Sequence, residues 1–412
     1  MISLTLRKKN AIWNIIGASA NAFTSLVFTM IATFINGTDN TGIFTYAFAV
    51  ATIIFCFSNY ITRPYQVTDI SGSHSDSDYI YARVFTCLFG IAAALLFCVS
   101  NHYDIYKSAM IVTLCVYRTT EAFIETFYAI IQKRDFLYKA GISMFIRAVL
   151  CVAVFFISDF YTKNLVLACI LLVTVNILCF AFYDFQNARK VNYDKSKPSY
   201  KAIKTILFAG FFNFVLTFLN SVVINVSRYA IDRYETNYMQ AVFGYIIMPA
   251  TFMSLFGQYI IQPVLTTLSN GLADKNLNQI TGVIKRVVAI LFAGGVVVFV
   301  IAYLLEVPVL SIVFGMDFSP YKTEMMIIIG GSVMFALETV VSTILVAFRK
   351  TAIQAVVFFS VTVASAAASF IAVKNYGLFG SAIVYSISML TLSAFLVAVL
   401  INEILKYKRQ WN

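Results

Sequence analysis

The sequence predicts an all-α, polytopic membrane protein with about 12 transmembrane helices in two six-helix lobes, related by a pseudo-two-fold axis along the membrane normal. The chain of 412 residues is 60% hydrophobic and only 12% charged, which is expected of a protein whose solvent is lipid. Apolar stretches long enough to cross a hydrocarbon layer of about 30 Å recur along the chain. The second half also repeats the first.

Each predicted span is an apolar run bounded by polar or charged residues. The first follows a short basic segment that ends at Asn10. We interpret it as a retained helix, because no small-residue cleavage site precedes its first loop. The predicted spans are 11–35, 41–61, 80–100, 106–131, 139–158, 163–185, 204–230, 239–265, 281–304, 323–347, 351–373 and 378–404.

The Lys and Arg residues predict the orientation of these spans. An even number of spans places both termini on one side of the membrane. If that side is the cytoplasm, most of the 30 Lys and Arg residues fall inside, including Lys8, Arg134, Lys190, Arg349 and Lys406. The positive-inside rule therefore predicts cytoplasmic termini. This topology also accounts for the net charge of +11, and no basic patch indicates nucleic acid as a partner.

A polar, basic stretch that contains Pro198 follows the sixth span and predicts the connection between the lobes. The sequence thus predicts an N-terminal lobe at 1–190, a cytoplasmic linker at 191–203 and a C-terminal lobe at 204–412.

The two lobes match at a constant offset of 199 residues over their first two spans, and again after a gap of four residues. Since six spans separate equivalent positions, both lobes cross the membrane in the same direction. Two such bundles around a central cleft suit alternating access. The equivalent pairs include Asn14 with Asn213, Asn21 with Asn220, Pro64 with Pro263 and Arg83 with Arg286.

No metal centre or other cofactor is predicted. The seven cysteines lie within predicted spans without metal-ligand spacing, and we interpret them as small apolar residues. The two histidines, His74 and His102, lie in predicted loops. There is no glycine-rich phosphate loop, which disfavours coupling to ATP hydrolysis in this chain.

Ionisable side chains inside a span cost about 2.5 to 3.5 kcal/mol each on insertion scales, so they are expected to face a partner or a wet cavity. The fourth span carries Arg118, Glu121 and Glu125 at spacings that place them on one helix face. Either Arg118 and Glu121 form an internal pair, or this face lines a translocation cavity. Glu121 and Glu125 are also candidates for ion coupling, since one arginine does not neutralise both carboxylates.

Three other spans carry single charged residues. Arg147 has no counterion in its own helix, which predicts either an ion pair with Glu121 or Glu125, or an anion site. Arg228, near the outer end of the seventh span, either reaches the outer headgroups or contacts an anionic substrate. Glu338, in the tenth span, is either a neutral, hydrogen-bonded acid or an ion-coupling group.

Asparagines recur on the first helix of each lobe. Asn14 and Asn21, like Asn213 and Asn220, are seven residues apart and so share a helix face. They could hydrogen-bond neighbouring helices or bind sugar hydroxyls in the cleft. Arg63, at the end of the second span, is interpreted as a cytoplasmic anchor in preference to a site residue.

A basic N-terminus runs into NIIGASANAF, a short loop ends at Gly42 before FTYAFA, and the stretch RPYQVTDISGSHSDSDYIYARVFT follows. With these motifs, its length and its duplication, the chain resembles the polysaccharide flippases of the O-antigen and capsule pathways (Wzx type). These proteins belong to the multidrug, oligosaccharidyl-lipid and polysaccharide exporter superfamily, and the implied fold is MATE-like.

The resemblance implies a flippase that moves undecaprenyl-pyrophosphate-linked oligosaccharide repeat units across the bacterial plasma (inner) membrane. It implies a lipid-linked oligosaccharide and membrane lipids as partners, and leaves a polysaccharide polymerase open as a third. Arg118, Arg147 or Arg228 would then attract the pyrophosphate and acidic sugars.

Two other functions stay open. The first is an ion-coupled drug or metabolite exporter of the same fold, which would use Glu338, Glu121 or Glu125. The second is a membrane enzyme, a glycan polymerase or transferase. An enzyme is disfavoured, because the longest predicted outer loop, 306–322, offers only two acids for catalysis.

Overall fold

The computed structural model describes residues 4–68, 74–194, 196–261, 264, 267–268, 271–272 and 274–411. Within that part of the chain every regular element is a helix and no β-strand occurs. Residues 69–73 of the motif, Lys195 of the predicted linker, and Gln262 and Pro263 of the predicted eighth span lie outside the described residues. The predicted all-α fold is confirmed.

The chain forms two compact units, Met1–Phe218 and Leu219–Asn412. The division falls inside a continuous helix, Tyr200–Tyr234, so the first half of this helix belongs to the first unit. Compact units need not coincide with lobes that share a repeat. The predicted domain boundaries therefore stay a prediction.

The helices of the first unit have bounds similar to those of the predicted spans. They are α1 Leu4–Ser58, α2 Arg63–Thr68, α3 Asp76–Ser100, α4 Ile105–Lys133, α5 Leu137–Thr162, α6 Leu165–Cys179, a π-helical turn Phe180–Asp184, α7 Phe185–Lys190 and the first half of α8 Tyr200–Tyr234.

Helices of the second unit continue from the other half of α8. They are α9 Asn237–Ile246, α10 Met248–Ile261, α11 Leu277–Phe314, a 3-10 turn Ser319–Tyr321, α12 Lys322–Ala347 and α13 Thr351–Trp411.

Nine helices among the described residues are long and apolar enough to cross a membrane. Two of these, α1 and α13, each correspond to two predicted spans. A straight helix of 55 residues such as α1 would be about 80 Å long, far more than one crossing needs. Both helices break at a glycine with positive φ, Gly37 at 76° and Gly377 at 55°, where the sequence predicts loops. The charged helix α4 is not among the nine, but it matches the predicted fourth span.

The first half of α8 packs on the first unit through aromatic and polar contacts. The ring of Phe214 stacks on Tyr60 with centroids 4.7 Å apart. The side-chain amide of Asn213 donates to the Thr62 hydroxyl at 3.1 Å. These contacts explain why the unit ends within the helix.

The described part of the segment that connects α7 to α8 is also attached to the first unit. Two carboxylates in the first turn of α3 accept hydrogen bonds from the backbone of this connecting segment. The N–H of Asp194 donates to Asp76 at 2.9 Å, and the N–H of Ser199 donates to Asp78 at 2.7 Å. This segment is therefore bound along α3.

Helices α1 and α5 cross at close range in the core of the first unit. A Cβ atom at Gly17 would collide with the backbone carbonyl of Gly141, so neither position has room for a side chain. Small residues permit such close backbone approach between membrane helices. The crossing brings α5, which carries Arg147, against α1.

Candidate functional site

Glu121 lies between two arginines in the first unit. Its carboxylate accepts a hydrogen bond from Arg118, one turn earlier on α4, and lies 3.7 Å from Nη2 of Arg147 on α5. Of the alternatives predicted for these residues, the structure forms both the internal pair and the pair across the helix interface. One carboxylate thus holds two guanidinium groups from different helices.

The two arginines differ in access. The side chain of Arg118 is 20% exposed, whereas that of Arg147 is 3% exposed. The guanidinium carbon of Arg118 lies 4.5 Å from the ring centroid of Phe55, a contact that stabilises a cation. Arg118 can therefore meet a ligand, while Arg147 is placed as a counter-charge for Glu121.

Arg147 also lies near neutral polar groups. Its guanidinium carbon lies 5.9 Å from the ring centroid of Tyr128, whose hydroxyl donates to Ser143 at 2.9 Å. Nε and Nη1 of Arg147 find no hydrogen-bond acceptor among the described residues. This burial favours the predicted ion pair over the predicted anion site.

Glu125, one turn further along α4, pairs with Arg63 at 3.5 Å. Arg63, interpreted from the sequence as a cytoplasmic anchor, thus has a carboxylate partner on α4, and the anchoring role stays a prediction. Helix α1 ends at Ser58, and Arg63 begins the short helix α2, which packs against α4. Both side chains are about a quarter exposed, so this pair is more accessible than Glu121.

Sequence analysis missed the role of Arg83, which is 1% exposed. Nη1 donates to the carbonyl of Ser58 at 2.7 Å, Nη2 donates to the carbonyl of Ile61, and Nε donates to the Thr126 hydroxyl of α4 at 2.8 Å. A cation is favourable at a helix C-terminus, where carbonyl groups lack partners. Arg83 fixes the end of α1 near α2 and α4. The match of Arg83 with Arg286 in the repeat was the available signal.

These contacts define a group that we call the α4 charge cluster. Arg63, Arg83, Arg118 and Arg147 contribute four positive charges, and two glutamates of α4 contribute two negative charges. The α4 charge cluster consists of Arg63, Arg83, Arg118, Glu121, Glu125 and Arg147.

The four predicted asparagines are half-buried and do not share one environment. Asn213 bonds to Thr62 within the first unit, which matches the helix-to-helix alternative. The side-chain oxygens of Asn14 and Asn220 have no hydrogen-bond donor among the described residues. For Asn21, the described bond is from the Thr24 hydroxyl to its backbone carbonyl. A sugar-binding role for these residues stays a prediction.

The remaining predicted site residues, Glu338 and Arg228, lie in the second unit. Glu338 is fully buried on α12 and accepts a hydrogen bond from the Thr339 hydroxyl at 3.3 Å. Its other oxygen has no donor among the described residues. The guanidinium carbon of Arg228 lies 5.6 Å from the ring centroid of Phe243. Ion coupling at Glu338 and substrate contact at Arg228 stay predictions.

No family model matches the chain. A relative from Staphylococcus aureus, "Capsular polysaccharide biosynthesis protein CapF", is 24% identical over 361 residues, which are 85% of this chain and 88% of the relative. Among solved structures, the inward-facing conformation of a multidrug resistance MATE family transporter of the MOP superfamily aligns with a TM-score of 0.66 and 14% identity. This alignment covers 99% of this chain and 96% of that chain.

The chain has the MATE fold. Lipid II flippase MurJ in an inward closed conformation is similar too, with a TM-score of 0.68 and 15% identity over 98% of this chain and 90% of that chain. The MATE fold confirms the predicted fold class, and the capsule relative confirms the predicted resemblance to polysaccharide exporters. The chain is therefore a multi-pass membrane protein with the MATE fold.

Proposed function

We propose that this protein is a flippase that moves undecaprenyl-pyrophosphate-linked oligosaccharide repeat units across the bacterial plasma membrane for surface polysaccharide biosynthesis. The observation that carries this proposal is Arg118 of the α4 charge cluster, a partly exposed arginine inside a membrane helix bundle whose carboxylate partner, Glu121, also lies against Arg147. Buried charge is costly in a membrane unless it serves a partner or a ligand. An accessible arginine that shares its carboxylate with a second arginine fits an anionic ligand.

Arg118 is the group that would meet the anion. It is partly exposed, held from one side by Glu121 and supported by the Phe55 ring. A guanidinium group binds phosphate oxygens through two parallel hydrogen bonds, and such bonds are stronger where water is scarce. The pyrophosphate of a lipid-linked oligosaccharide offers this chemistry.

The capsule relative supports a polysaccharide precursor as the cargo, and the MATE fold supports alternating access. The orientation with cytoplasmic termini, the cooperation with a polymerase and the coupling through Glu338 belong to the same proposal. Half-buried asparagines in both repeats would contact sugar hydroxyls.

A drug exporter with the same fold is the second candidate, favoured by the similarity to a multidrug MATE transporter. Cationic drugs would be repelled by Arg118, the accessible arginine beside Glu121. An anionic cargo is therefore the better match for this chain.

Leaflet-resolved detection of the lipid-linked oligosaccharide in a deletion strain tests the proposal. We expect accumulation in the inner leaflet, reversed by the wild-type gene but not by Arg118→Gln. Arg189→Gln is the matched control, because Arg189 lies at the exposed end of α7 and should complement fully. A normal outer-leaflet pool in the deletion strain would exclude the flippase. Drug sensitivity with intact surface polysaccharide would instead indicate the exporter.

A further inference from the structure

Another buried acid of the first unit, Asp184, has no role in the site described above. It lies at the end of the π-helical turn that follows α6 and is fully buried. Neither of its carboxylate oxygens has a hydrogen-bond donor among the described residues. Among the described residues it forms no ion pair.

Contacts between α5 and the sixth span place Arg147 beside Asp184. The thiol of Cys151 donates to the side-chain oxygen of Asn176 at 3.9 Å, and Phe180 of the π-helical turn packs against a cluster that contains Ala140 and Met144 of α5. Arg147 lies on α5 between these two levels. Side chains tilt towards the N-terminus of their helix, so the guanidinium group reaches towards the level of the π-helical turn. Arg147 and Asp184 therefore carry opposite charges on two segments that pack together.

The π-helical turn explains why Asp184 faces inward. In a regular helix, residues eight positions apart such as Asn176 and Asp184 point about 80° apart. The extra residue of a π-helical turn rotates the chain back by about 100°, which reduces this angle to about 20°. The turn therefore puts Asp184 on the buried face that Asn176 occupies. Such turns are frequent at functional sites, and a buried acid in a membrane helix is costly.

The charges around Arg147 are balanced. Arg118 and Arg147 face two carboxylates, Glu121 and Asp184. Glu121 is bonded to Arg118 and only loosely paired with Arg147, at 3.7 Å. Two nitrogens of Arg147 have no acceptor among the described residues. Arg147 is thus able to serve either acid.

We propose that Asp184 is a positioning residue that shares Arg147 with Glu121 and so sets how tightly Glu121 holds Arg118. The part that concerns Arg118 rests on the proposed anion site. When an anion draws Arg118 away, Arg147 pairs with Glu121, so that this carboxylate is not left buried and unpaired. When the anion leaves, Arg147 returns towards Asp184 and Glu121 holds Arg118 again.

The melting temperature of the purified full-length protein in detergent tests whether Asp184 and Arg147 are partners. Arg147→Gln leaves Asp184 without a counter-charge and should lower the melting temperature by about 5 °C or more. Adding Asp184→Asn should recover most of that loss, because no charge remains unpaired. If Arg147→Gln does not fold, a folded double variant supports the proposal and an unfolded one overturns it.

Asp159→Asn is the matched control, because Asp159 is also fully buried on α5 but accepts a hydrogen bond from Asn36 at 2.6 Å. The loss of melting temperature caused by Asp159→Asn should add to the loss caused by Arg147→Gln. If the losses caused by Asp184→Asn and Arg147→Gln also add in their double variant, the proposal is overturned.

Calorimetric titration with inorganic pyrophosphate tests the effect on Arg118. In Asp184→Asn, Arg147 can pair only with Glu121, and Glu121 therefore holds Arg118 less tightly. Pyrophosphate should then bind to this variant about tenfold more tightly than to the wild type. Unchanged or weaker binding would overturn the link to Arg118. If the wild type binds no pyrophosphate, the proposed anion site fails, while the melting temperatures still decide whether Asp184 and Arg147 are partners.

Discussion

Glu121 and Arg118 form an ion pair within one helix although their access differs, with side chains that are 4% and 20% exposed. The buried partner is thus the acid, and the accessible partner is the base. An arginine held in this way is available to a ligand without having to leave its helix face. The arrangement leads to specific expectations for variants.

Removing the charge of Glu121 should weaken folding and strengthen anion binding. Glu121→Gln removes the carboxylate that Arg118 and Arg147 share and leaves Asp184 as the remaining counter-charge for the buried Arg147, so folding should weaken by about 1 to 3 kcal/mol. Arg118 is released at the same time. Chemical unfolding and pyrophosphate titration check the two effects. Asp39→Asn, at an exposed position of α1, should change neither quantity. Weaker anion binding by Glu121→Gln would contradict the assignment of Arg118.

Arg83 should be required for stability and not for anion binding. Arg83→Met removes three donors and leaves the carbonyls of Ser58 and Ile61 unsatisfied in a buried place, at a cost of about 2 to 4 kcal/mol. Arg83→Lys should recover part of this loss, since a lysine can still donate to one carbonyl. Denaturation of the purified variants measures the difference. Equal stability of Arg83→Met and the wild type would show that these bonds contribute nothing.

The close crossing of α1 and α5 should not tolerate a methyl group. Gly17→Ala would place Cβ against the backbone carbonyl of Gly141, and overpacking of this kind costs about 1 to 3 kcal/mol. Gly282→Ala is the matched control on α11, because nothing lies within 4 Å of the added Cβ. Thermal unfolding should separate the two variants clearly. Similar melting temperatures would mean that the helices can move apart at little cost.

The two bent helices should respond to alanine mainly through backbone strain. Gly37 and Gly377 combine positive φ with ψ of 175° and −133°, a region that glycine alone adopts readily, so each substitution costs about 1 to 3 kcal/mol. A Cβ at Gly37 meets nothing within 4 Å, and at Gly377 it meets Oε1 of Glu235 at 2.8 Å, the end of a flexible side chain that can turn away. Gly37→Ala and Gly377→Ala should therefore lower the melting temperature by similar amounts. A much larger loss for Gly377→Ala would indicate that crowding against Glu235 decides the outcome.

Much of the fold was predictable because hydropathy and turn residues determine where a chain can cross a bilayer. The breaks at Gly37 and Gly377 fall in predicted loops, since glycine permits the positive φ that ends one helix and begins the next. The pair between Arg147 and Glu121 was one predicted alternative, because a lone buried arginine needs a counterion.

Other parts of the site depend on tertiary packing. The pair of Arg63 with Glu125 was not predicted, because hydropathy extends the second span to residue 61, whereas α1 ends at Ser58 and Arg63 begins α2, which packs against α4. The partners of Arg83 are mainly carbonyl groups, which every residue has, so no sequence pattern marks them. Asp184 was missed since its inward orientation depends on a π-helical turn that no periodicity of the sixth span indicates.

Attachment of the connecting segment to α3 has a consequence for engineering. A polar, basic stretch between two halves invites the insertion of a cleavage site or a fluorescent domain. An insertion between Asp194 and Ser199 has to leave in place the backbone bonds that these two residues donate to Asp76 and Asp78. An inserted domain whose two ends lie far apart would break at least one of these bonds, so its end-to-end distance decides whether α3 keeps both contacts.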